Sequence, residues 1–234
     1  MNVSDMQPKP IRWSYSGLDK FATCAHRYYR QYVKKDVVDP GSPESEWGNY
    51  VHKAIEDFLM DDAPLPANVT QAYGRPLSQV LPQLQQVAGL RVEHHFAIDE
   101  GARAIDPEHP YCWAHGFADV VAINDAGTHA IIGDWKTGKP RDSDQLRLYA
   151  VMLFAAVPSL QQINTAYWWL AHSKVTGETV YPEYGHRMLD PFRAKYARLC
   201  TAVADDNWPK QPNALCRGYC PVKDCEFNKP KRTY

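Results

Sequence analysis

Two apolar stretches separated by a short turn constrain the fold of this chain more than any other feature. Residues 111–123 and 130–136 are rich in strand-forming residues, and residues 124–128 between them include the turn formers Asn, Asp and Gly. We therefore predict an antiparallel hairpin. If the turn centres between Ala126 and Gly127, residues equidistant from that point face each other, and Asp119 faces Asp134.

That register brings two carboxylates together, with Cβ atoms ~5 Å apart. Bare carboxylates at this distance repel each other, and a divalent cation between them removes the repulsion. Lys136 lies on the same strand face as Asp134, whereas Trp135 points to the opposite face and into the core. A solvated strand edge is the alternative explanation for an isolated Asp-x-Lys segment.

The remaining patterns predict helices and strands in alternation, which indicates an α/β or α+β fold. His52 lies beside the apolar stripe of the second predicted helix, where it is a ligand candidate or a hydrogen-bonded core residue. The predicted helices are 19–33, 46–60, 142–157 and 189–206, the last with a stripe of Phe192, Tyr196, Cys200 and Val203. The other predicted strands are 90–98, 162–172 and 179–184. The proline-containing residues 61–82 are predicted to be a loop, with at most a short helix after it.

Composition excludes several classes of protein. The 26 Lys and Arg residues are balanced by 27 Asp and Glu residues, so the chain has no polybasic coat that binds nucleic acid by charge alone. No apolar run is long enough for a membrane span, and the first residues do not have the pattern of a signal peptide. We therefore expect a cytoplasmic protein without a membrane partner, in which the six cysteines serve metal or cluster ligation, or core packing, rather than disulfides.

The order of these segments resembles the RecB-like branch of the PD-(D/E)XK nuclease superfamily, which includes CRISPR-adaptation nucleases and many phage exonucleases. The matching motifs are Ser-Tyr-Ser-Gly-Leu (14–18) with Cys-Ala-His-Arg-Tyr-Tyr (24–29), Gly-Asn-Tyr-Val-His (48–52), Gly-Phe-Ala-Asp (116–119), Asp-Trp-Lys-Thr-Gly (134–138) and Gln-Leu-Arg-Leu-Tyr (145–149). With the cysteines near the C-terminus they cover residues 14–225. Ala25 stands where the family often has Pro. The resemblance implies one nuclease domain over residues 14–234, after a loose leader of residues 1–13.

The resemblance also implies a restriction-endonuclease-like core, a small mixed sheet flanked by helices, and roles for its residues. The metal ligands would be His52, Asp119, Asp134 and the backbone carbonyl of Trp135. Lys136 would activate the attacking water, and Gln145 and Tyr149, one helical turn apart, would face the site. Glu93 matches a strand position that is often acidic. Carboxylates suit Mg²⁺ or Mn²⁺, and the single imidazole favours Mn²⁺.

The cysteines near the C-terminus suggest a second inorganic centre. Cys216, Cys220 and Cys225 lie within a segment that has no apolar periodicity, and an inorganic anchor would order such a segment. By the same resemblance, Cys24 would complete a [4Fe-4S] cluster that joins the N- and C-terminal segments, although the family's usual tail spacing is C-x2-C-x5-C and this one is C-x3-C-x4-C. Zn²⁺ at the same four cysteines, or reduced thiols in a packed tail, are the alternatives.

These features together predict a metal-dependent DNA nuclease, most simply an exonuclease on DNA ends or single strands in recombination, repair or genome processing. The candidate DNA contacts are Arg27, Tyr28, Arg30 and Lys139, since cations mixed with aromatic rings suit a single strand. The alternative for Tyr28 and its neighbours is that the rings belong to the core. A recombination or single-strand-binding protein is a candidate partner, in bacterial or phage-infected cells. The competing function is a non-catalytic DNA-binding or scaffold protein that keeps the fold.

Overall fold

Helices and strands alternate along residues 9–230, the part of the chain that this computed structural model describes; the side chain of His186 is not described. The helices are α1 (Tyr15–Thr23), α2 (Ala25–Tyr28), α3 (Pro43–Asp61), α4 (Ala67–Gln85), α5 (Gln145–Ala156) and α6 (Gly185–Ala204). The strands are β1 (Trp13–Ser14), β2 (Arg91–Ile98), β3 (Ala114–Ile123), β4 (His129–Lys136), β5 (Gln162–Trp169), β6 (Lys174–Thr176) and β7 (Thr179–Val180). The predicted α/β class is confirmed.

The described residues divide into two compact units. The larger unit comprises residues 9–12 and 43–189, and the smaller one comprises residues 13–42 and 190–230. The first eight residues of the predicted leader, 1–8, lie outside the described residues. The assignment of residues 14–234 to one nuclease domain stays a prediction.

A mixed sheet forms the centre of the larger unit. Its strands β2, β3, β4 and β5 are neighbours in that order, and β6 and β7 both pair with β5. The pairs β2–β3 and β3–β4 are antiparallel, whereas β4 and β5 are parallel and are connected through α5. Such a parallel crossover needs a connection of about a dozen residues or more, which α5 provides.

The central hairpin has the register that the sequence predicts. Val120 pairs with Gly133, and Ile123 pairs with Ala130 at the turn. Asp119, directly before Val120, and Asp134, directly after Gly133, therefore lie just beyond the last pair of the hairpin. The hairpin thus delivers both carboxylates to the end of the ladder that lies away from the turn.

Helices α3 and α4 cover one face of this sheet. The prediction of a loop over residues 61–82 is wrong, because α4 is a helix of 19 residues that contains Pro76 and Pro82. A stripe of apolar residues that recur every three or four positions along it is buried, and burial of this stripe outweighs the cost of the two prolines. The buried residues of α4 are Val69, Tyr73, Leu77, Leu81 and Leu84, which pack with Val51 and Ile55 of α3 and with Val120 and Trp135 of the sheet.

Helix α5 covers the opposite face, because Trp135 faces α3 and α4 while its neighbours Asp134 and Lys136 contact Gln145 of α5. The Tyr149 ring of α5 lies directly over the backbone of Gly116, where any β-carbon would overlap it. Gly116 therefore sets how closely α5 approaches β3.

Replacing Gly116 by alanine is expected to lower the free energy of unfolding by roughly 1–3 kcal/mol, since the added methyl group overpacks the Tyr149 ring. Chemical denaturation measures this change. Gly138→Ala is the matched control, because nothing lies within 4 Å of a β-carbon at that position. Equal stability of the two variants would contradict the close packing of α5 on β3.

The smaller unit is built from both ends of the described chain. The helix predicted over residues 19–33 is present but is interrupted at Cys24, which has extended backbone: α1 ends before it, and α2 and a π-helical turn, Tyr29–Val33, follow. The backbone N–H of Ala25 donates to Gln211 Oε1 (3.0 Å), and Asn213 Nδ2 donates to the Thr23 carbonyl (3.2 Å). These bonds tie the segment around Cys24 to the segment that precedes Cys216.

The apolar stripe of α6 differs from the predicted one. Phe192 and Tyr196 are buried as expected, but Val203 is exposed and Cys200 only half-buried. Leu199 and Ala202 are the buried residues of the last turns. Leu199 follows Phe192 by nearly two full turns and so lies on the same face, whereas Cys200 lies about 80° away around the helix. No helix within residues 9–230 is long and apolar enough to cross a membrane.

Candidate metal centre

Three side chains from three elements of the larger unit converge at one point. His52 comes from α3, Glu93 from β2 and Asp119 from β3, and each offers a ligand atom within 4.8 Å of the other two. Within residues 9–230, no other group of three or more His, Cys, Asp or Glu side chains meets this spacing. One imidazole and two carboxylates form a donor set for a divalent cation that accepts both nitrogen and oxygen.

Asp119 is fixed by contacts from both sides. The backbone N–H of Trp135 donates a hydrogen bond of 2.6 Å to Asp119 Oδ2, and His52 Nδ1 lies 3.3 Å from the same oxygen. The first bond crosses from β4 to β3 beyond the last paired residues of the hairpin. It therefore couples the position of this carboxylate to the backbone of β4.

Glu93 occupies a strained backbone position. Its φ of +49° lies in the left-handed region, although the residue is in the middle of strand β2. The pairs Val92–Val120 and His94–Ala118 flank it, so Glu93 stands opposite Asp119. For a residue other than glycine this conformation costs about 1–3 kcal/mol. The kink interrupts the regular alternation of the strand at the point where the carboxylate enters the ligand group.

Asp134 belongs to an adjoining network. It is 2% exposed, and its Oδ2 lies 2.5 Å from Lys136 Nζ. Its Oδ1 accepts a hydrogen bond of 3.2 Å from Gln145 Nε2, which also donates to Tyr149 Oη at 3.2 Å. Gln145 Oε1 is 3.5 Å from Lys136 Nζ. Gln145 and Tyr149 thus both face the site, and Gln145 holds the Asp134 carboxylate and the Lys136 ammonium in place.

The predicted ligand set is thus only partly brought together. His52 and Asp119 meet as predicted, but the third member of the group is Glu93 and not Asp134, which is paired with Lys136. The Trp135 ring stacks on Trp168 with centroids 4.3 Å apart, in the core. Ligation by Asp134 and by the Trp135 carbonyl stays a prediction.

Burial and the proximity of the carboxylates raise pKa values in this centre. Burial raises the pKa of Glu93, and the charge of Asp119 raises it further. Burial and Asp119 likewise raise the pKa of Asp134. Burial alone would lower the pKa of His52, but its hydrogen bond to Asp119 and the nearby carboxylate charges outweigh burial and raise it. A bound cation would relieve the repulsion among these carboxylates, so the donor set fits a divalent ion.

The metal-free centre should therefore contribute less to stability as the pH rises. A group whose pKa is higher in the folded state, whether acid or histidine, stabilises the fold below its unfolded pKa and loses that contribution through its folded pKa. We expect the free energy of unfolding of the wild type in EDTA, taken relative to that of Glu93→Gln, to fall as the pH rises from about 4.5 through the raised pKa of Glu93. The histidines whose pKa is lowered by burial titrate in both proteins and cancel in this difference. Urea denaturation across this range tests it, with the exposed Glu183→Gln as control. A slope unchanged in Glu93→Gln would contradict the crowding.

The four candidate cluster ligands all lie in the smaller unit and are free thiols, each half-buried. Burial raises the pKa of Cys220, and the nearby thiols Cys216 and Cys24 also contribute. Three of the four cysteines are therefore close enough to interact electrostatically. Their sulfur atoms do not form a group within the 4.8 Å spacing of the His52 centre.

The predicted DNA contacts have different surroundings. Tyr28 is buried and contacts Phe21, Tyr32 and Trp208, so the core alternative is correct for this ring. Arg27 pairs with Asp39 at 2.9 Å. Arg30 pairs with Asp36 (2.7 Å) and Asp224 (2.9 Å), whereas Lys139 is exposed. DNA contacts by Arg27, Arg30 and Lys139 stay predictions.

The chain is similar to known proteins in sequence pattern and fold. The sequence profile of the PD-(D/E)XK nuclease superfamily matches residues 12–225. No curated protein matches significantly. A structure from Eubacterium rectale, described as an inferred exonuclease, has a TM-score of 0.52 at 13% identity and covers 94% of this chain and 89% of its own. The crystal structure of SSO0001 has a TM-score of 0.49 at 15% identity, with coverages of 96% and 90%. The Eubacterium rectale structure supports the restriction-endonuclease-like fold, and the profile match shows that the chain belongs to the PD-(D/E)XK nuclease superfamily.

Proposed function

We propose that this protein is a divalent-metal-dependent deoxyribonuclease that acts as an exonuclease on DNA ends or single strands, in recombination, repair or genome processing. The observation that carries the proposal is the ligand group of His52, Glu93 and Asp119 beside the buried Asp134–Lys136 pair. Membership of a nuclease superfamily supports phosphodiester hydrolysis as the reaction.

Mg²⁺ or Mn²⁺ is the proposed ion. His52, Glu93 and Asp119 would hold it, and the imidazole nitrogen favours Mn²⁺ over Mg²⁺. Asp134 and the Trp135 carbonyl are proposed to complete the protein's share of ligands. When bound, such an ion neutralises phosphate charge and lowers the pKa of a coordinated water.

The protein's own residues have distinct tasks in this proposal. The Lys136 ammonium, held by Asp134 and Gln145, orients the attacking water and stabilises the negative charge that develops on the phosphate oxygens. Gln145 keeps Asp134 and Tyr149 in one arrangement by donating to both. His52 and the Trp135 N–H orient Asp119. Each of these contacts holds a catalytic side chain in place before the substrate binds, so little reorganisation is needed during the reaction.

Cleavage assays with linear and circular DNA test the proposal. We expect a labelled linear single strand to be degraded in Mn²⁺ and not in EDTA, with single nucleotides or short products released from one end. A covalently closed circular single strand should resist, because an exonuclease needs an end. Cleavage of the circle would replace exonuclease by endonuclease action. No chelator-sensitive cleavage of any DNA would instead favour a non-catalytic scaffold.

For the cysteines we propose a [4Fe-4S] cluster held by Cys24, Cys216, Cys220 and Cys225, as in the RecB-like branch. Support comes from their common location in the smaller unit and from the proximity of Cys24 and Cys216 to Cys220. The hydrogen bonds that join the segments around Cys24 and Cys216 also support it. Zn²⁺ at the same thiols remains the alternative ion.

Anaerobic purification tests the cluster. We expect brown protein with broad absorbance near ~400 nm and about four irons per chain, and loss of both in Cys220→Ala. Cys200→Ala is the matched control, since Cys200 lies on α6 away from the proposed ligands in sequence. Colourless protein with one zinc would replace the cluster by zinc, and metal-free folded protein would exclude both.

A further inference from the structure

Phe117 and His95 form a stacked aromatic pair on the larger unit, outside the ligand group of His52, Glu93 and Asp119. Phe117 is 47% exposed, and its ring stacks on His95 with centroids 3.9 Å apart and an interplanar angle of 16°. His95 Nε2 in turn lies 3.2 Å from His115 Nδ1. An exposed phenylalanine on a strand is common by itself. Here the ring is held in one plane by a hydrogen-bonded histidine beneath it.

The pair lies next to the proposed cation site. Phe117 and His95 face each other across β3 and β2, and the register continues through Ala118–His94 to Asp119 and Glu93. Two residues along a strand span ~7 Å, about the length of one extended nucleotide. A base stacked on Phe117 would therefore belong to the nucleotide beside the phosphate at the ligand group.

A cation accompanies the aromatic pair. Arg12 is close enough to His95 and His115 for its charge to act on both. Burial, with a smaller contribution from Arg12, lowers the pKa of His115 to about 4. The ion pair of Arg12 with Glu108 is long, at 3.6 Å, and its carboxylate partner is 81% exposed. Such a pair contributes little, so the guanidinium can turn to a phosphate at small cost.

We propose that Phe117 and His95 form a stacking subsite for one unpaired base of the DNA substrate, with Arg12 contacting that strand's phosphate. This rests on the proposed nuclease function and specifies its substrate as single-stranded at the site. Bases in a duplex are already stacked on each other, whereas an unpaired base offers a free face to an aromatic ring. Phe117 is thus a substrate-positioning residue.

A fluorescent base analogue tests the subsite directly. Single strands with 2-aminopurine near the labelled end are titrated with protein in Ca²⁺, under conditions where no cleavage is detected. We expect quenching on binding to the wild type, as stacking quenches this base. Phe117→Ala and Phe117→Leu should lose the quenching and weaken binding by about 10- to 100-fold, whereas Phe117→Trp should keep both. Ile131→Ala, an exposed apolar residue of β4, is the matched control.

Arg12→Gln tests the phosphate contact. Its affinity for single strands should depend less on salt, with a log–log slope smaller in magnitude by about 0.7, while Arg75→Gln on α4 should not change the slope. Quenching and affinity unchanged in Phe117→Ala would overturn the subsite even if the wild type cleaves DNA in Mn²⁺. Absence of single-strand binding by the wild type would also overturn the stacking subsite. If the wild type quenches the fluorescence but does not cleave DNA, the result would contradict the proposed nuclease function and not the subsite.

Discussion

Replacing Asp119 by asparagine is expected to lower the rate of DNA cleavage by at least about 1,000-fold, which corresponds to a loss of about 4 kcal/mol of transition-state stabilisation. Asp119 is the residue on which the proposed centre depends most, because its carboxylate meets His52, Glu93 and the Trp135 N–H. An amide oxygen can still accept the hydrogen bond from Trp135, so the fold should persist. Single-turnover kinetics in Mn²⁺ measure the change.

Thermal denaturation gives this substitution a second readout. Without metal, Asp119→Asn should be as stable as the wild type or more stable, since one charge of the crowded group is removed. Added Mn²⁺ should stabilise the wild type and have a much smaller effect on the variant. Asp125→Asn, in the exposed turn of the same hairpin, is the matched control. Equal stabilisation of Asp119→Asn and the wild type by Mn²⁺ would remove Asp119 from the metal site.

Replacing Lys136 by methionine is expected to slow cleavage by about 100- to 10,000-fold, the range of a positioned proton-transfer or water-activating group. A charged ammonium does not bind a metal, so stabilisation by Mn²⁺ should remain. The variant also leaves Asp134 buried without its counterion, which should lower its stability in EDTA.

Lys136→Arg separates catalysis from the ion pair. The guanidinium keeps the charge beside Asp134, and we expect it to restore stability without restoring the rate. Lys174→Met, on an exposed position of β6, controls for the loss of a surface charge. A rate near that of the wild type in Lys136→Met would refute the catalytic role and leave Lys136 as the counterion of Asp134.

The hairpin and its register could be predicted because they depend on local information. The turn formers at residues 124–128 fix which residues face each other, and Val120 pairs with Gly133 accordingly. The spacing of Gln145 and Tyr149 likewise follows from one helical turn, and both side chains face the site. Such features need only the periods of strands and helices.

Features that depend on tertiary contacts do not follow from local sequence. The prolines Pro76 and Pro82 predict a loop where α4 lies, because the sequence alone does not show that the sheet buries the apolar stripe of this segment. The entry of Glu93 into the ligand group depends on a left-handed kink in β2, which no strand pattern indicates. The pairing of Asp134 with Lys136, two residues away, likewise depends on how the two side chains pack, and ligation of a metal by Asp134 stays a prediction.

The stacked pair of Phe117 and His95 does not follow from the sequence for a related reason. Phe117 belongs to the Gly-Phe-Ala-Asp segment, and the sequence alone does not show which residue of the neighbouring strand lies opposite it. Only the pairing of β2 with β3 brings His95 opposite Phe117 and leaves the ring exposed.

The division of the smaller unit between residues 13–42 and 190–230 has a consequence during synthesis of the protein. Trp13 packs on Phe192, and Phe21 on Trp208, so the first aromatic residues leave the ribosome long before their partners exist. At about 5–20 residues per second the delay is on the order of ten seconds. During that interval Trp13 and Phe21 lack these partners, and we expect chaperones to be able to bind them. The smaller unit can therefore fold only after α6 and the segment that contains Trp208 have been synthesised.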